Sequence, residues 1–132
     1  MQLKQQKKKL KSLSSLKKKA WKLYSIYRRT SEADFQDFVY CYTCNNPIEW
    51  KEAHLGHFKH NKLDFHPDNT RIQCAGCNTY RGGKLDIYAV RLVEEIGLER
   101  VKALEVLAAR FKGYSRVELN NIILEYGNRS NN

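Results

Sequence analysis

Two cysteine pairs of identical spacing, Cys41-x2-Cys44 and Cys74-x2-Cys77, flank a 29-residue insert, residues 45–73. Two thiolates two residues apart can grip one cation from a tight turn, and a second pair completes a tetrahedron. That donor set suits Zn²⁺, which holds four thiolates at about 2.3 Å and leaves no position open for chemistry. The expected site is structural and clamps the ends of the insert. Four cysteines in a chain that shows no secretory leader read as metal ligands rather than disulfides. The alternative is four unrelated buried thiols.

All four histidines of the chain, His54, His57, His60 and His66, fall within that insert. His57 follows Gly56 in the middle of an expected strand, where a glycine lets a ligand or phosphate approach the backbone. Asn69 precedes the next expected strand, and Asn78 directly follows the last cysteine at a helix start. A His that takes a proton from water, an Asn that fixes its loop, and an oxygen ligand on a helix compose a hydrolytic site. Such a site works around one divalent cation, Mg²⁺ or Mn²⁺. The competing reading makes His57 a packed core residue. His60 and His66 read as loop or surface residues. Trp50 reads as packing beside the knuckle, with stacking on an unpaired base as the other option.

The elements that must position these residues follow from periodicity and turn chemistry. Phe38 to Thr43 is β-branched and aromatic and runs into the first cysteine pair as a short strand or knuckle, and Asn45-Asn46-Pro47 is a turn. Ala53 to Lys59 and Thr70 to Cys74 form two short strands around a polar loop. Asn78 to Arg81 starts a short helix that Gly82-Gly83 interrupts. Leu85 to Ile96 and Leu98 to Phe111 show helical apolar faces separated by Gly97, and Ser115-x-x-Glu118 is a capping box opening a last helix. From Gly127 onward a loose tail is expected.

Charge is unevenly placed. The chain carries 24 Lys and Arg against 14 Asp and Glu, a net +10 over 132 residues. Residues 1–31 hold 11 bases and no acid, whereas 32–50 net −4, 51–84 net +3 and 85–132 net zero. Leu10, Leu13, Leu16, Ala20, Trp21, Tyr24 and Tyr27 recur at helical steps in the basic arm, so Leu10 to Arg29 reads as an amphipathic helix. The residues ahead of it read as frayed. Lys17, Lys18, Lys19, Lys22, Arg28 and Arg29 on the arm, with Arg81 and Lys84 beside the Gly82-Gly83 bend, are the candidate phosphate contacts. A solvated helix kept for solubility and a membrane-surface helix are the rival readings. No apolar run is long enough to span a bilayer. With no leader-like stretch, the expected location is cytoplasmic, inside a bacterial host cell if the chain is phage-encoded.

Leu55-Gly56-His57-Phe58, Phe65-His66-Pro67-Asp68-Asn69 and Gln73-Cys74-Ala75-Gly76-Cys77-Asn78, followed by Gly83 and Tyr88, resemble the phage lambda NinG (Rap) recombination nuclease family, a branch of the ββα-metal (HNH-like) nucleases. The resemblance covers about residues 20–105. It implies a structure-selective DNA endonuclease that cuts branched recombination intermediates of the Holliday-junction or D-loop type. By motif position His57 is the general base, Asn78 the catalytic-metal ligand and Asn69 the residue holding the active-site loop. His54 stands where related nucleases place an Asp, beside the metal. Gly56 stands where the usual HNH arrangement has an Asp, and Asp64 where the family has an Arg.

The expected architecture is α+β and mostly helical. It comprises a basic arm at 1–31, a zinc-clamped ββα-metal core with one two-stranded sheet at 32–84, C-terminal helices at 85–127 and a tail at 128–132. The expected partner is branched DNA, with no membrane and with a homodimer suited to paired cuts. The alternatives are a noncatalytic zinc-stabilised module that binds nucleic acid through the arm, and an adaptor whose basic helix docks on an acidic partner.

Overall fold

The structure, a computed structural model, describes residues 12–130. The stretch expected to fray ahead of Leu10, and Asn131 and Asn132 of the expected tail, lie outside the described residues. The fold is α+β, mostly helical, with two small antiparallel sheets. The described chain forms two compact units, one built from the residues up to Tyr27 and from Tyr114 onward, the other from Arg28–Gly113. These boundaries differ from the expected arm, core and C-terminal segments, because the last helix belongs with the first.

Helix α1 (Leu13–Glu32) begins where the Ser12 hydroxyl accepts a hydrogen bond from the Ser15 amide at 3.1 Å, satisfying one of the free donors at a helix start. In the first unit its buried stripe is Leu16, Ala20 and Tyr24. The Ser115 box forms as expected. The Glu118 amide donates to the Ser115 hydroxyl and the Ser115 amide to the Glu118 carboxylate. These hydrogen bonds hold Glu118 below its ordinary carboxylate range. Helix α4 (Arg116–Ser130) then runs straight through Gly127, so residues 128–130 are helical and not a loose tail. Packing explains the continuation. Tyr126 meets the Tyr24 ring edge-on at 4.9 Å, a Cβ on Gly127 would lie 3.7 Å from Leu23, and Arg129 donates to the Tyr27 hydroxyl. Tertiary contact overrides the weak helix propensity of the glycine.

In the second unit, β1 (Phe38–Tyr40) and β2 (Pro47–Glu49) pair antiparallel, with Val39 opposite Ile48. This adds a second sheet to the one expected. β3 (His54–His57) and β4 (Thr70–Gln73) form the expected pair, with His54 opposite Gln73 and His57 opposite Thr70. A 3₁₀ turn (Pro67–Asn69), capped by the His66 ring accepting from the Asp68 amide, leads into β4. A π-helical turn (Gly76–Tyr80) follows β4 in place of the expected α start. Helices α2 (Leu85–Ile96) and α3 (Leu98–Arg110) cover this core. Tyr88, Leu92 and Val101 cluster with Tyr42, Phe58 and Ile96, while Leu63, Leu104 and Ala108 cluster with Phe58 and Phe111. Phe58, next to His57, therefore anchors both apolar clusters.

Two arginines expected to grip phosphate are used inside this unit. Arg28 donates to the Thr70 hydroxyl at 2.6 Å, to the Thr70 carbonyl at 2.9 Å and to the Pro67 carbonyl at 3.4 Å. Arg29 reaches the carbonyls of Trp50 and Ala53 and lies 5.5 Å from the Trp50 ring centroid. The Thr70 and Pro67 carbonyls also accept from Arg71, so two guanidinium forks converge there, a multidentate arrangement an ammonium group would match less well. Arg28→Ala is expected to lower the unfolding free energy by roughly 1–3 kcal/mol, since it removes the charged donor from the part-buried Thr70 hydroxyl. Lys18→Ala, on the exposed face of α1, should leave it unchanged. Urea titration of both variants measures the contrast.

Candidate functional site

The sulfurs of Cys41, Cys44, Cys74 and Cys77 all lie within 4.8 Å of one another. The first pair sits on the tight turn between β1 and β2, where the Asn45 amide bonds the Cys41 carbonyl and Asn45 adopts a left-handed φ of 65°. The second pair opens the π-helical turn, and the Cys77 amide points at the Cys74 sulfur. Burial alone would raise the Cys41 thiol. Hydrogen bonds from the Thr43 hydroxyl and from the amides of Cys74, Thr43 and Cys44 outweigh it and bring that thiol down to about 6. Burial pushes the Cys44 thiol up to about 12 and raises that of Cys77, so the four sulfurs ionise unequally until a cation displaces their protons. The cluster can hold one structural Zn²⁺ with all four positions closed.

Between the knuckles the structure brings His54, Gly56 and Asn78 together. The Asn78 amide nitrogen lies 3.1 Å from His54 Nδ1. A Cβ built on Gly56 would stand 3.0 Å from the Asn78 carboxamide oxygen and only 1.8 Å from Gln73 Oε1. This explains why a glycine stands where the usual HNH arrangement has an Asp. The Gln73 side chain fills that space, fully buried, with its amide donating to the Thr43 hydroxyl and the Gly83 carbonyl. Because His54 Nδ1 is engaged with Asn78, the contact this histidine makes is with the amide of the expected metal ligand; its Nε2 is the nitrogen left for anything else.

His57 ends β3 with its side chain 21 % exposed, and its Nε2 lies 3.6 Å from a carboxylate oxygen of Asp64. Asn69 is fully buried. Its oxygen accepts from the Lys59 amide at 2.7 Å, and its nitrogen donates to the carbonyls of Lys59, Lys62 and Leu63. One side chain thus fixes the loop that follows His57. Tyr88, also fully buried, donates to the Gly56 carbonyl at 2.9 Å and so fixes the backbone just ahead of His57.

The remaining candidates are spread around this centre. Arg81 is exposed at the end of the π-helical turn, and Lys84 stands at the N-cap of α2 with a left-handed φ of 50°. Lys17, Lys18, Lys19 and Lys22 are exposed along α1. His60 is exposed and His66 caps the 3₁₀ turn, as loop residues. Trp50 takes the packing role, under the Arg29 guanidinium. Sequence reasoning missed Gln73 and Asp64. A Gln beside Ile72 in a short strand is a signal for Gln73, since a polar residue at a buried strand position needs partners. Asp64 carries no such signal, because its neighbour is set by loop geometry.

A family model described as the Bacteriophage Lambda NinG protein matches residues 1–131. The chain belongs to the NinG family. Membership implies a phage protein connected with recombination, and the matched span includes both knuckles, β3, β4 and helices α1 to α4 of the described residues. Comparison with curated proteins and with solved structures found no match. Among the described residues no helix is long and apolar enough to cross a membrane.

Two outcomes test this geometry. The protein should carry one zinc per chain by elemental analysis. Cys77→Ser should lose it and lower the melting temperature by more than about 10 °C, as expected for a structural site worth several kcal/mol in a domain of this size. Gly56→Ala must displace Gln73 from its bonds to Thr43 and Gly83, and is expected to cost about 1–3 kcal/mol by urea titration while zinc stays bound.

Proposed function

We propose that this NinG-family chain is a divalent-metal-dependent DNA endonuclease that cuts branched recombination intermediates of the Holliday-junction or D-loop type. One observation carries the reading. The Asn78 carboxamide is held by His54 beside the side-chain-free Gly56, one residue ahead of His57. With the amide nitrogen engaged by His54, the oxygen of Asn78 is the donor offered to a hard cation. Mg²⁺ and Mn²⁺ suit such an oxygen and keep several waters of their own. A cation held by Asn78 would supply positive charge to neutralise that on the phosphate and on the leaving oxygen.

The chain's own residues do the rest. His57 takes a proton from water as the water oxygen bonds to phosphorus; the phosphorus–oxygen bond on the far side breaks, and the leaving oxygen gains a proton from solvent. Asn69 keeps the loop after His57 in place, so the base does not drift between turnovers. His54 fixes the rotamer of Asn78. The exposed lysines 17, 18, 19 and 22 of α1 supply sequence-independent grip on phosphates, which weakens with salt. Arg81 and Lys84 add positive charge on the segment after Asn78. A homodimer suits paired cuts across a junction.

Matched four-way-junction, flap and linear duplex substrates separate this reading from that of a noncatalytic nucleic-acid-binding module. Wild type is expected to nick the branched substrates with Mg²⁺ or Mn²⁺ and not with EDTA. His57→Ala and Asn78→Ala should lose at least about 100-fold in rate, on the scale of general acid–base catalysis, with zinc content and melting temperature unchanged. DNA binding with no cleavage by the zinc-loaded wild type would overturn it.

A further inference from the structure

The loop that Asn69 holds presents a carboxylate to the ring of His57. We infer that Asp64 is a positioning residue that fixes the orientation and tautomer of His57, an assignment that rests on His57 acting as the base. Asp64 Oδ1 lies 3.6 Å from His57 Nε2, and the Asp64 side chain is only 15 % exposed. That spacing is a few tenths of an ångström longer than a hydrogen bond, and catalytic contacts of this kind tighten when substrate binds. The nitrogen facing Asp64 is itself buried. The His57 side chain is 21 % exposed as a whole, and Nδ1 is the ring nitrogen that does not face Asp64.

The loop geometry aims Asp64 inward. Its neighbours Leu63 and Phe65 are both buried, Leu63 adopts a left-handed φ of 54°, and the Leu63 carbonyl accepts from the Asn69 amide and from the His66 amide. With both flanking side chains in the core and the carbonyl held twice, Asp64 has little freedom to swing into solvent. A neutral imidazole carries one N–H, and an acceptor opposite Nε2 selects the tautomer with the proton there. The lone pair is then on Nδ1. After Nδ1 takes the proton from water, the Asp64 charge stabilises the imidazolium without itself being protonated. Asp64 never touches the phosphate; it acts through His57.

Nitrogen-15 spectra of the zinc-loaded full chain, labelled at histidine and assigned against His57→Gln, test the tautomer directly. Wild type is expected to show His57 protonated at Nε2, and Asp64→Ala a mixture of both tautomers. On a four-way-junction substrate with Mg²⁺, Asp64→Ala should lower kcat roughly 10–100-fold, as removing the partner of a functional His commonly does. KM should not change, and Asp64→Asn, which keeps an acceptor of the same shape, should recover part of the loss. Unchanged zinc content and melting temperature show that each variant is folded. An unchanged tautomer in Asp64→Ala, full kcat, or a loss confined to KM would overturn the assignment. A wild type with the Asp64-dependent tautomer that cleaves none of the substrates overturns the nuclease reading instead, and the pair's catalytic purpose with it.

Discussion

Four sulfurs within 4.8 Å of one another can, through one shared cation, hold together parts of the chain that apolar burial alone would hold poorly. The two sheets have strands of three and four residues, and an isolated two-stranded hairpin is marginally stable at best in water. A cation in the cysteine cluster would join the turn between β1 and β2 to the segment leaving β4 and so tie the two sheets into one body. A backbone bond from the Tyr42 amide to the Ile72 carbonyl runs beside it. Once residues 41–44 and 74–77 are fixed, both ends of the 45–73 insert are fixed. Asn78 takes its place because it directly follows Cys77, with its amide bonded to the Cys74 carbonyl.

Inside that frame the site is set by buried polar groups rather than by apolar packing. Asn69, Gln73 and Tyr88 are fully buried, and each bonds a backbone group of a neighbouring loop or strand. Breaking one partner of such a bond leaves the other desolvated, which costs more than the bond is worth in water. Their geometry is correspondingly specific. Asn69 reaches Lys59, Lys62 and Leu63, Tyr88 reaches Gly56, and Gln73 reaches Gly83, so the segments on either side of His57 are tied down by different residues. An apolar core of the same volume would tolerate small slides of the loop, whereas directional bonds do not.

Much of this was legible in the residues. The cysteine spacing, the β3–β4 pair and the Ser115 box all follow from local chemistry that the structure keeps. Other features depend on contacts between positions far apart in sequence. β2 was hidden by Pro47, which is tolerated in a strand only at an edge or end and here opens the strand. The continuation of α4 through Gly127 depends on Tyr24 and Leu23, about a hundred residues away. The exchange of a carboxylate at residue 56 for Gln73 depends on which side chain crosses the sheet to fill the gap. In each case the deciding atom belongs to a partner that no local window contains.

The net charge of +10 carries less meaning as a single number than its division between arginine and lysine. Arg28, Arg29 and Arg71 bond backbone carbonyls, Arg71 also pairs with Glu95, Arg100 pairs with Asp68, and Arg129 pairs with Glu125. A delocalised, weakly hydrated fork is suited to such half-buried, multidentate contacts. Lys17, Lys18, Lys19 and Lys22 instead lie on the exposed face of α1, whose opposite stripe of Leu16, Ala20 and Tyr24 is buried. A strongly hydrated ammonium on a flexible stem loses little by staying in water. Within the described part of the arm the lysines therefore stay on the exposed face, whereas Arg28 and Arg29 act as clasps of the fold.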